Sequence, residues 1–342
     1  MKILIMTPGA VGYKSPTLLV AEELQRRGNE VTVVLASEPM HLVQDGDYDV
    51  IFGDMERACI PAYLSALILD IPCYLHGEWV PEFRVKSTSR YGASCTLLPS
   101  ETKKWGAFYR PIAAVMQATD ICSWASPIFQ KGAEELLGSE YTNAFTRFTR
   151  LPSDAPKSPI PIGEAENIPV ICSRLAPIKR VPMLVEAVGK MDESVRPKEI
   201  LIVGDGPEKG VVSHMAKMYG LVVRYATNVH GPDKWDAISR GRVMLSAWTG
   251  IPPGEALMCG RPTIAFDMEH IRELYGDTLI YTPNNDIDAM TRVLNEHFGN
   301  DVSFYDKFAL RGREALLNGK IGLQTFERGV DEIEQTLRRI IQ

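Results

Sequence analysis

The sequence predicts an α/β protein of two doubly wound, Rossmann-like domains, and three observations predict it. Short apolar runs alternate with helix-length stretches along the chain, the pattern of parallel strands joined by crossover helices. That alternation starts afresh near residue 168, after a stretch rich in proline and polar residues. A length of 342 residues exceeds one compact core and suits two.

In the first half, residues 2–6 carry a buried-strand pattern. The segment TPGAVGYKSP follows, in which Gly9 and Gly12 allow the backbone to approach a ligand closely. Ser15 caps a helix that Pro16 begins; Leu18, Ala21 and Leu24 give its buried face and Gly28 ends it. Residues 31–35, 48–52, 71–75 and 120–125 read as strands, with helices over about 60–69 and 128–137. The join, LPSDAPKSPIPIGEAENIP, reads as a linker. Beyond it, strands are expected at 170–173, 199–203, 222–225, 243–246, 263–266 and 279–281, with helices over 181–191, 209–219, 233–240 and 286–297. The domains are expected over 1–155 and 156–322. The end, 323–342, carries an amphipathic stretch at 326–341 suited to pack back on the first domain.

A net charge of −6 gives no reason to expect broad nucleic-acid binding. The six cysteines, at 59, 73, 95, 122, 172 and 259, lie far apart without paired ligand spacing, as suits reduced, buried thiols in a cytoplasmic protein. The longest apolar run, 60–69, is too short to span a membrane, so no transmembrane segment is expected.

The richest stretch is SAWTGIPPGEALMCGRPTIAF, residues 246–266. It reads as a strand end, a tight turn, a short helix and a new strand. Pro253 suits the first helical position, Gly260 a left-handed stop, and Pro262 keeps the helix from resuming. Backbone around Gly250, Ile251 and Pro252 then lines a crevice beside a positive helix N-terminus, where a phosphate or sugar fits. Glu255, in the first helical turn, either accepts hydrogen bonds from vicinal hydroxyls or only complements the helix dipole.

Upstream, SRLAPIKRVPMLVEAV places Arg174 and Lys179 around a turn that follows a strand. Two cations beside a helix start form a diphosphate clamp, although they also read as solvated surface charges. VGDGPEKG has glycines at 204, 206 and 210, not the dinucleotide spacing, and the chain offers Arg224 where a ribose-binding acid belongs about 20 residues on. NAD is therefore rejected; Gly204 and Gly206 form either the base of a nucleotide pocket or a structural turn. His76, after a first-half strand, is a candidate for hydrogen bonding to substrate, and His230 a wall on the base side; either is also read as structural. Between Glu78 and Arg110, six cations and interleaved aromatics suit a phosphorylated, lipid-linked or nucleic-acid acceptor, or a loop anchored by its own aromatics. No cluster has metal-ligand spacing, so no metal is expected.

Together these segments resemble the retaining, nucleotide-sugar-dependent glycosyltransferases of the GT-B type, in the large family four group (glycosyl transferases group 1). SRLAPIKRVPMLVEA resembles that family's Gly-Arg-Leu…Lys-Gly stretch, which passes diphosphate binding to Arg174 and Lys179. LIVGDGP is similar to its glycine turn, NVHGPDKWDAIS to the segment bordering the nucleoside, and TPGAVG to its first-half glycine loop. GIPPGEALMCGRPTI resembles the second half of its Glu-x7-Glu motif, which places ribose recognition on Glu255. YLHG matches a strand-end histidine that approaches the donor sugar, here His76. The motif's first Glu would fall at 247, where this chain has Ala247. The family's usual Gly-Gly is replaced by Glu269 and His270, as a substitute acid or hydrogen-bonding group.

The resemblance implies two Rossmann-like domains facing a central cleft. It implies hexosyl transfer from a nucleoside diphosphate sugar, a UDP-sugar favoured, to an acceptor hydroxyl with retention and without a metal. The donor is a co-substrate and no cofactor is expected. Two rival expectations stand beside it: glycosylation of a hydroxylated base in DNA or RNA, and a non-catalytic nucleotide-sugar-binding protein.

Overall fold

The computed structural model describes residues 1–8, 16–36, 47–77, 85–89, 92–95, 110–125, 127–146, 151–152, 154–159, 161, 164–248, 250–300 and 302–342. The chain divides into two compact units. One comprises Met1–Arg84, Thr96–Thr149 and Phe326–Gln342; the other comprises Val85–Cys95 and Arg150–Thr325.

The first unit runs β1 (Lys2–Thr7), α1 (Pro16–Arg26), β2 (Glu30–Leu35), β3 (Val50–Asp54), α2 (Glu56–Leu69) and β4 (Cys73–Gly77). The next strands, β5 (Val85–Ser89) and β6 (Gly92–Cys95), form an antiparallel hairpin that groups with the second unit. The first unit resumes with α3 (residues 110–118), β7 (Ile121–Trp124), α4 (Pro127–Leu137) and β8 (Ala144–Thr146). Its sheet has the order β2-β1-β3-β4-β7-β8, every pairing parallel. Strands buried on both faces explain the unbroken apolar runs at 3–6 and 50–52. The strand expected at 48–52 lies at Val50–Asp54. The pairing sets its bounds, because Ile3 of β1 stands opposite Val50 and Asp54 pairs with His76.

The second unit runs β9 (Glu166–Cys172), a 3-10 turn at Pro177–Lys179, α5 (Val181–Gly189), β10 (Glu199–Val203), α6 (Lys209–Met218), β11 (Val222–Ala226) and α7 (Pro232–Arg240). It continues with β12 (Gly241–Ser246), α8 (Pro252–Met258), β13 (Thr263–Phe266), α9 (Glu269–Tyr275), β14 (Ile280–Thr282), α10 (Ile287–Gly299) and α11 (Val302–Leu317). Its parallel sheet has the order β11-β10-β9-β12-β13-β14. Helix α8 opens at Pro252, one residue before the proline expected there, and Gly260 adopts φ +73° as a left-handed stop.

The last helix, α12 (Phe326–Ile340), returns to the first unit. Phe326, Val330, Ile333 and Leu337 lie three or four residues apart, so one stripe faces a single direction. That stripe is buried in one cluster with Ile3 and Ile5 of β1 and Val20 and Leu24 of α1. At its rim Arg27 Nη1 meets Asp331 at 2.6 Å and Glu334 at 3.3 Å.

Cys59, Cys73, Cys122, Cys172 and Cys259 are buried and free, and burial pushes the Cys73, Cys122 and Cys172 thiols up to about 12. These thiols are packing residues. Among the described residues no helix is long and apolar enough to cross a membrane, and no group of three or more His, Cys, Asp or Glu is arranged to hold a metal ion.

The placement of α12 has a measurable consequence. Ile333→Ala leaves a cavity beneath a fully buried stripe and is expected to lower stability by about 2–5 kcal/mol. The exposed Gln335→Ala is expected to stay within about 0.5 kcal/mol. Urea unfolding of both variants, compared at unchanged slope, checks this.

Candidate functional site

In the second sheet the chain leaves β9 for β10 and β11 on one side, then returns to β12, β13 and β14 on the other. The connections after β9 and β12 therefore part, and a crevice opens at the carboxyl ends of these two strands. Open parallel sheets bind their ligands at such a switch point. Arg174 and Lys179 follow β9; Gly250, Ile251, Pro252 and Glu255 follow β12.

Gly204 and Gly206 follow the neighbouring strand β10, with φ +141° and +154°. A Cβ on Gly204 would lie 2.1 Å from the Ser173 carbonyl oxygen, and one on Gly206 2.4 Å from that of Leu175. Backbone contact of this kind needs glycine twice over, for conformation and for space. It is reinforced by Ser173 N–H donating to Val203 O at 3.0 Å and Leu175 N–H to Asp205 O at 2.8 Å. The glycines thus fix the height of the strand-end segment on which Arg174 is exposed.

Lys179 ends the 3-10 turn and is largely withdrawn from water. Its side chain lines a cavity of about 20 Å³, room for one water, together with Ser173, Ser246, Ala247, Trp248 and Pro252. The residues after both switch-point strands therefore share one cavity. Burial, then the neighbouring Arg174 charge, lowers the Lys179 pKa to about 8. The β5–β6 hairpin lies beside this turn.

The next residue, Arg180, is one that the sequence reading missed. It stands where the resembling motif has Gly after Lys, and it is itself left-handed, with φ +52°. For a residue with a side chain this costs roughly 1–2 kcal/mol. The guanidinium offsets that cost: it is buried, donates to Asn284 Oδ1 at 2.9 Å and to Asn285, and lies 4.8 Å from the centre of the Trp248 ring. One side chain thereby ties the segments after β9, β12 and β14 together. The sequence signal was the Lys-Arg pair in place of Lys-Gly.

His270 packs edge-on against Trp248 at 5.8 Å. Burial, with the charges of Arg180 and Lys179, lowers its pKa to about 4, so near neutral pH it is an uncharged wall. Glu269 is exposed on the first turn of α9. Ala247 is buried where the resembling motif has its first carboxylate.

Gly250 has φ +143°, and the turn it opens is held by Tyr275. The Tyr275 hydroxyl donates to Gly250 O at 2.6 Å and accepts from Gly254 N–H at 3.2 Å. Glu255 is more than a complement to the helix dipole. Its side chain is 3% exposed, and its Oε1 takes a 2.7 Å contact from Nζ of Lys234 on α7. Burial pushes the Glu255 carboxyl up while Lys234 pulls it back; the same contact holds Lys234 charged against its own burial. Lys234 was not singled out in the sequence, although it lies within the NVHGPDKWDAIS segment.

His76 belongs to the first unit, near the carboxyl end of β4, and is buried. Its Nδ1 lies 2.8 Å from Ser123 Oγ, which in turn lies 2.6 Å from the Tyr74 hydroxyl. Register places Asp54, His76 and Ser123 in one row across β3, β4 and β7. Gly9 and Gly12 lie outside the described residues. So does most of the stretch between Glu78 and Arg110, apart from the β5–β6 hairpin and Arg110 itself.

The close approach at Gly204 makes a direct test. Gly204→Ala sets a methyl against the Ser173 carbonyl and strains φ, and is expected to cost more than about 2 kcal/mol of the second unit's stability. Gly210→Ala, where a Cβ meets open space in the first turn of α6, is expected to be neutral or slightly stabilising. Thermal unfolding of the two variants separates the outcomes.

The whole chain matches solved structures of the GT-B fold. HepE from Anabaena, solved with UDP-glucose, is 16% identical with a TM-score of 0.74, over 99% of this chain and 100% of that one. A glycosyltransferase from Rickettsia africae is 14% identical with a TM-score of 0.74, over 100% and 98% of the two chains. Sucrose-phosphate synthase from Thermosynechococcus elongatus is 15% identical with a TM-score of 0.73, over 99% and 98%. No curated protein matches the chain. The fold is GT-B, and residues 166–300, which carry Arg174, Lys179, Lys234 and Glu255 together, match the family of glycosyl transferases group 1.

Proposed function

We propose that this protein is a glycosyltransferase that moves a hexosyl group, with retention of configuration, from a nucleoside diphosphate sugar to an acceptor hydroxyl, without a metal and in the cytoplasm. A UDP-sugar is the favoured donor, in keeping with the UDP-glucose complex of Anabaena HepE. One observation carries the reading: Lys179 and the residues after β12 line a single cavity at the switch point of the second sheet, with Arg174 beside them.

In this reading Arg174 and Lys179 take the donor diphosphate, Arg174 with its planar fork and Lys179 as a compact charge. Backbone at Gly250 and Ile251, beside the α8 N-terminus, receives a phosphate or the sugar, and Glu255 accepts from the ribose hydroxyls. As the bond between the anomeric carbon and the diphosphate oxygen breaks, negative charge grows on the departing diphosphate. Preorganised cations at that point do most for the transition state. The acceptor oxygen attacks from the face the diphosphate leaves, and its proton passes to the leaving phosphate oxygen. The role at the donor sugar that the resemblance gives Gly9, Gly12 and His76 is part of the same proposal. Acceptor recognition falls to the stretch between Glu78 and Arg110.

Calorimetric titration with UDP, GDP, ADP and UDP-glucose tests the donor. Binding of none of them sinks the reading; binding without transfer or slow donor hydrolysis favours a non-catalytic binding protein. Arg174→Ala or Lys179→Ala is expected to lower turnover on the order of 10²-fold. The lowered Lys179 pKa sets the direction of the pH dependence. Below about 8 the ammonium is charged and diphosphate affinity is fully present; as pH rises through about 8 the charge, and the affinity it supports, is lost. Lys179→Arg is expected to keep its affinity above pH 8.

A further inference from the structure

We propose that Lys234 is a donor-positioning residue that acts through Glu255. Its ammonium keeps a buried carboxylate ionised and turned, so that the vicinal hydroxyls of the donor ribose meet an acceptor. The proposal rests on the donor reading above.

A ribose diol presents two hydroxyl donors. An ionised carboxylate is acceptor-only and offers both oxygens; a protonated one turns one of them into a donor and is the weaker partner for a diol. The Glu255 side chain is almost wholly removed from water, an environment that favours the protonated form. The groups facing it come from several elements. Asp154, in the segment before β9, repels its charge as burial does. Cys172 on β9 has its Sγ 4.0 Å from Oε2, and burial holds the Cys172 and Cys259 thiols neutral, at about 12 and about 11. Tyr275 on α9 is buried and raised above its ordinary value, so it too is neutral. Against these stands Lys234, 2.7 Å away on α7 and one quarter exposed. It supplies the countercharge at this carboxylate.

The contact also fixes geometry. Nζ engages Oε1, while Oε2 faces the Cys172 thiol at the end of β9, the strand from which the Arg174 segment departs. Lys234 is fixed in turn by Gly231, whose carbonyl accepts from its N–H at 3.0 Å, and by the Trp235 ring, 5.4 Å from Nζ. A merely structural role would be a buried strut between α7 and α8, whose loss would weaken binding equally at every pH.

The experiment measures UDP-glucose affinity from pH 5 to 9, a range in which the diphosphate diester keeps its charge. Lys234→Met is expected to weaken affinity at pH 7 roughly 10- to 100-fold, the scale of a hydrogen bond to a charged group. Without the ammonium the Glu255 carboxyl titrates higher, and affinity is present above that pKa and lost as pH falls through it. The acid limb of the profile is therefore expected to move to higher pH, with part of the loss recovered on raising pH. Lys234→Arg is expected to restore both affinity and profile. Lys234→Met/Glu255→Gln is expected to be no worse than Glu255→Gln alone, the signature of action through one partner.

Wild-type affinity in Lys234→Met, or a loss of the same size at every pH, overturns the proposal. A wild type that binds neither UDP nor UDP-glucose overturns the donor reading, and this proposal with it. Should Lys234→Met not fold, calorimetry of the wild type at pH 7 in buffers of different ionisation enthalpy decides. Near-zero proton release on binding is expected, and release of about one proton overturns the proposal.

Discussion

Because the chain leaves β9 to one side and comes back to β12 on the other, the loops after these two strands have no common neighbour between them. A gap at the carboxyl ends of the strands is the geometric result. Everything chemical in the second unit is arranged around that gap. The glycines after β10 press their backbone against the segment after β9, and Tyr275 pins the turn after β12. Arg180 then fastens the segments to one another through Trp248, Asn284 and Asn285. None of these contacts is chemistry itself. Each removes freedom from a loop that has to hold charge at a set place, and preorganisation of that kind is what lets a site stabilise a departing anion.

The charges at the gap are expensive because they are dry. Lys179 is pushed towards its neutral form, His270 is neutral, and the Glu255 carboxyl is pushed towards its acid form. A buried carboxylate left alone protonates; one beside an ammonium at 2.7 Å does not have to. A buried pair of this sort is weak evidence for stability, since an apolar pair of the same volume often does as well. Between α7 and α8 the pair therefore matters less for what it adds to the fold than for keeping Glu255 an acceptor.

Much of this was legible in the chain. Short apolar runs bounded by turn residues marked most of the parallel strands of both sheets, while the longer apolar run at 60–69 belongs to the helix α2. The stripe at Phe326, Val330, Ile333 and Leu337 marked a helix with one face to bury. The motifs around Arg174, Lys179 and Glu255 could be placed at strand ends, and the fold then brought the two strand ends together. Lys234 was hidden because its significance is a contact 21 residues away in sequence, on another helix. Arg180 was hidden because a cation next to a cation reads as surface, whereas this one is buried behind Trp248. The hairpin of β5 and β6 was missed because its assignment to the second unit depends on tertiary packing, not on local pattern.

The departures from the resembling motifs follow different strands, β9, β12 and β13, and meet at Trp248. Arg180 stands where a glycine is usual, and its guanidinium stacks on Trp248. His270 also stands where a glycine is usual, and its ring meets the same indole edge-on. Trp248 directly follows Ala247, the position of the absent carboxylate. Enlarging one of these positions without the others would leave a charge or a polar ring without its stacking partner, at a cost typical of a broken buried network. The three side chains therefore pack as one unit around Trp248. It rebuilds the wall next to Lys179, while Arg174, Lys179 and Glu255 keep the residue types of the motif.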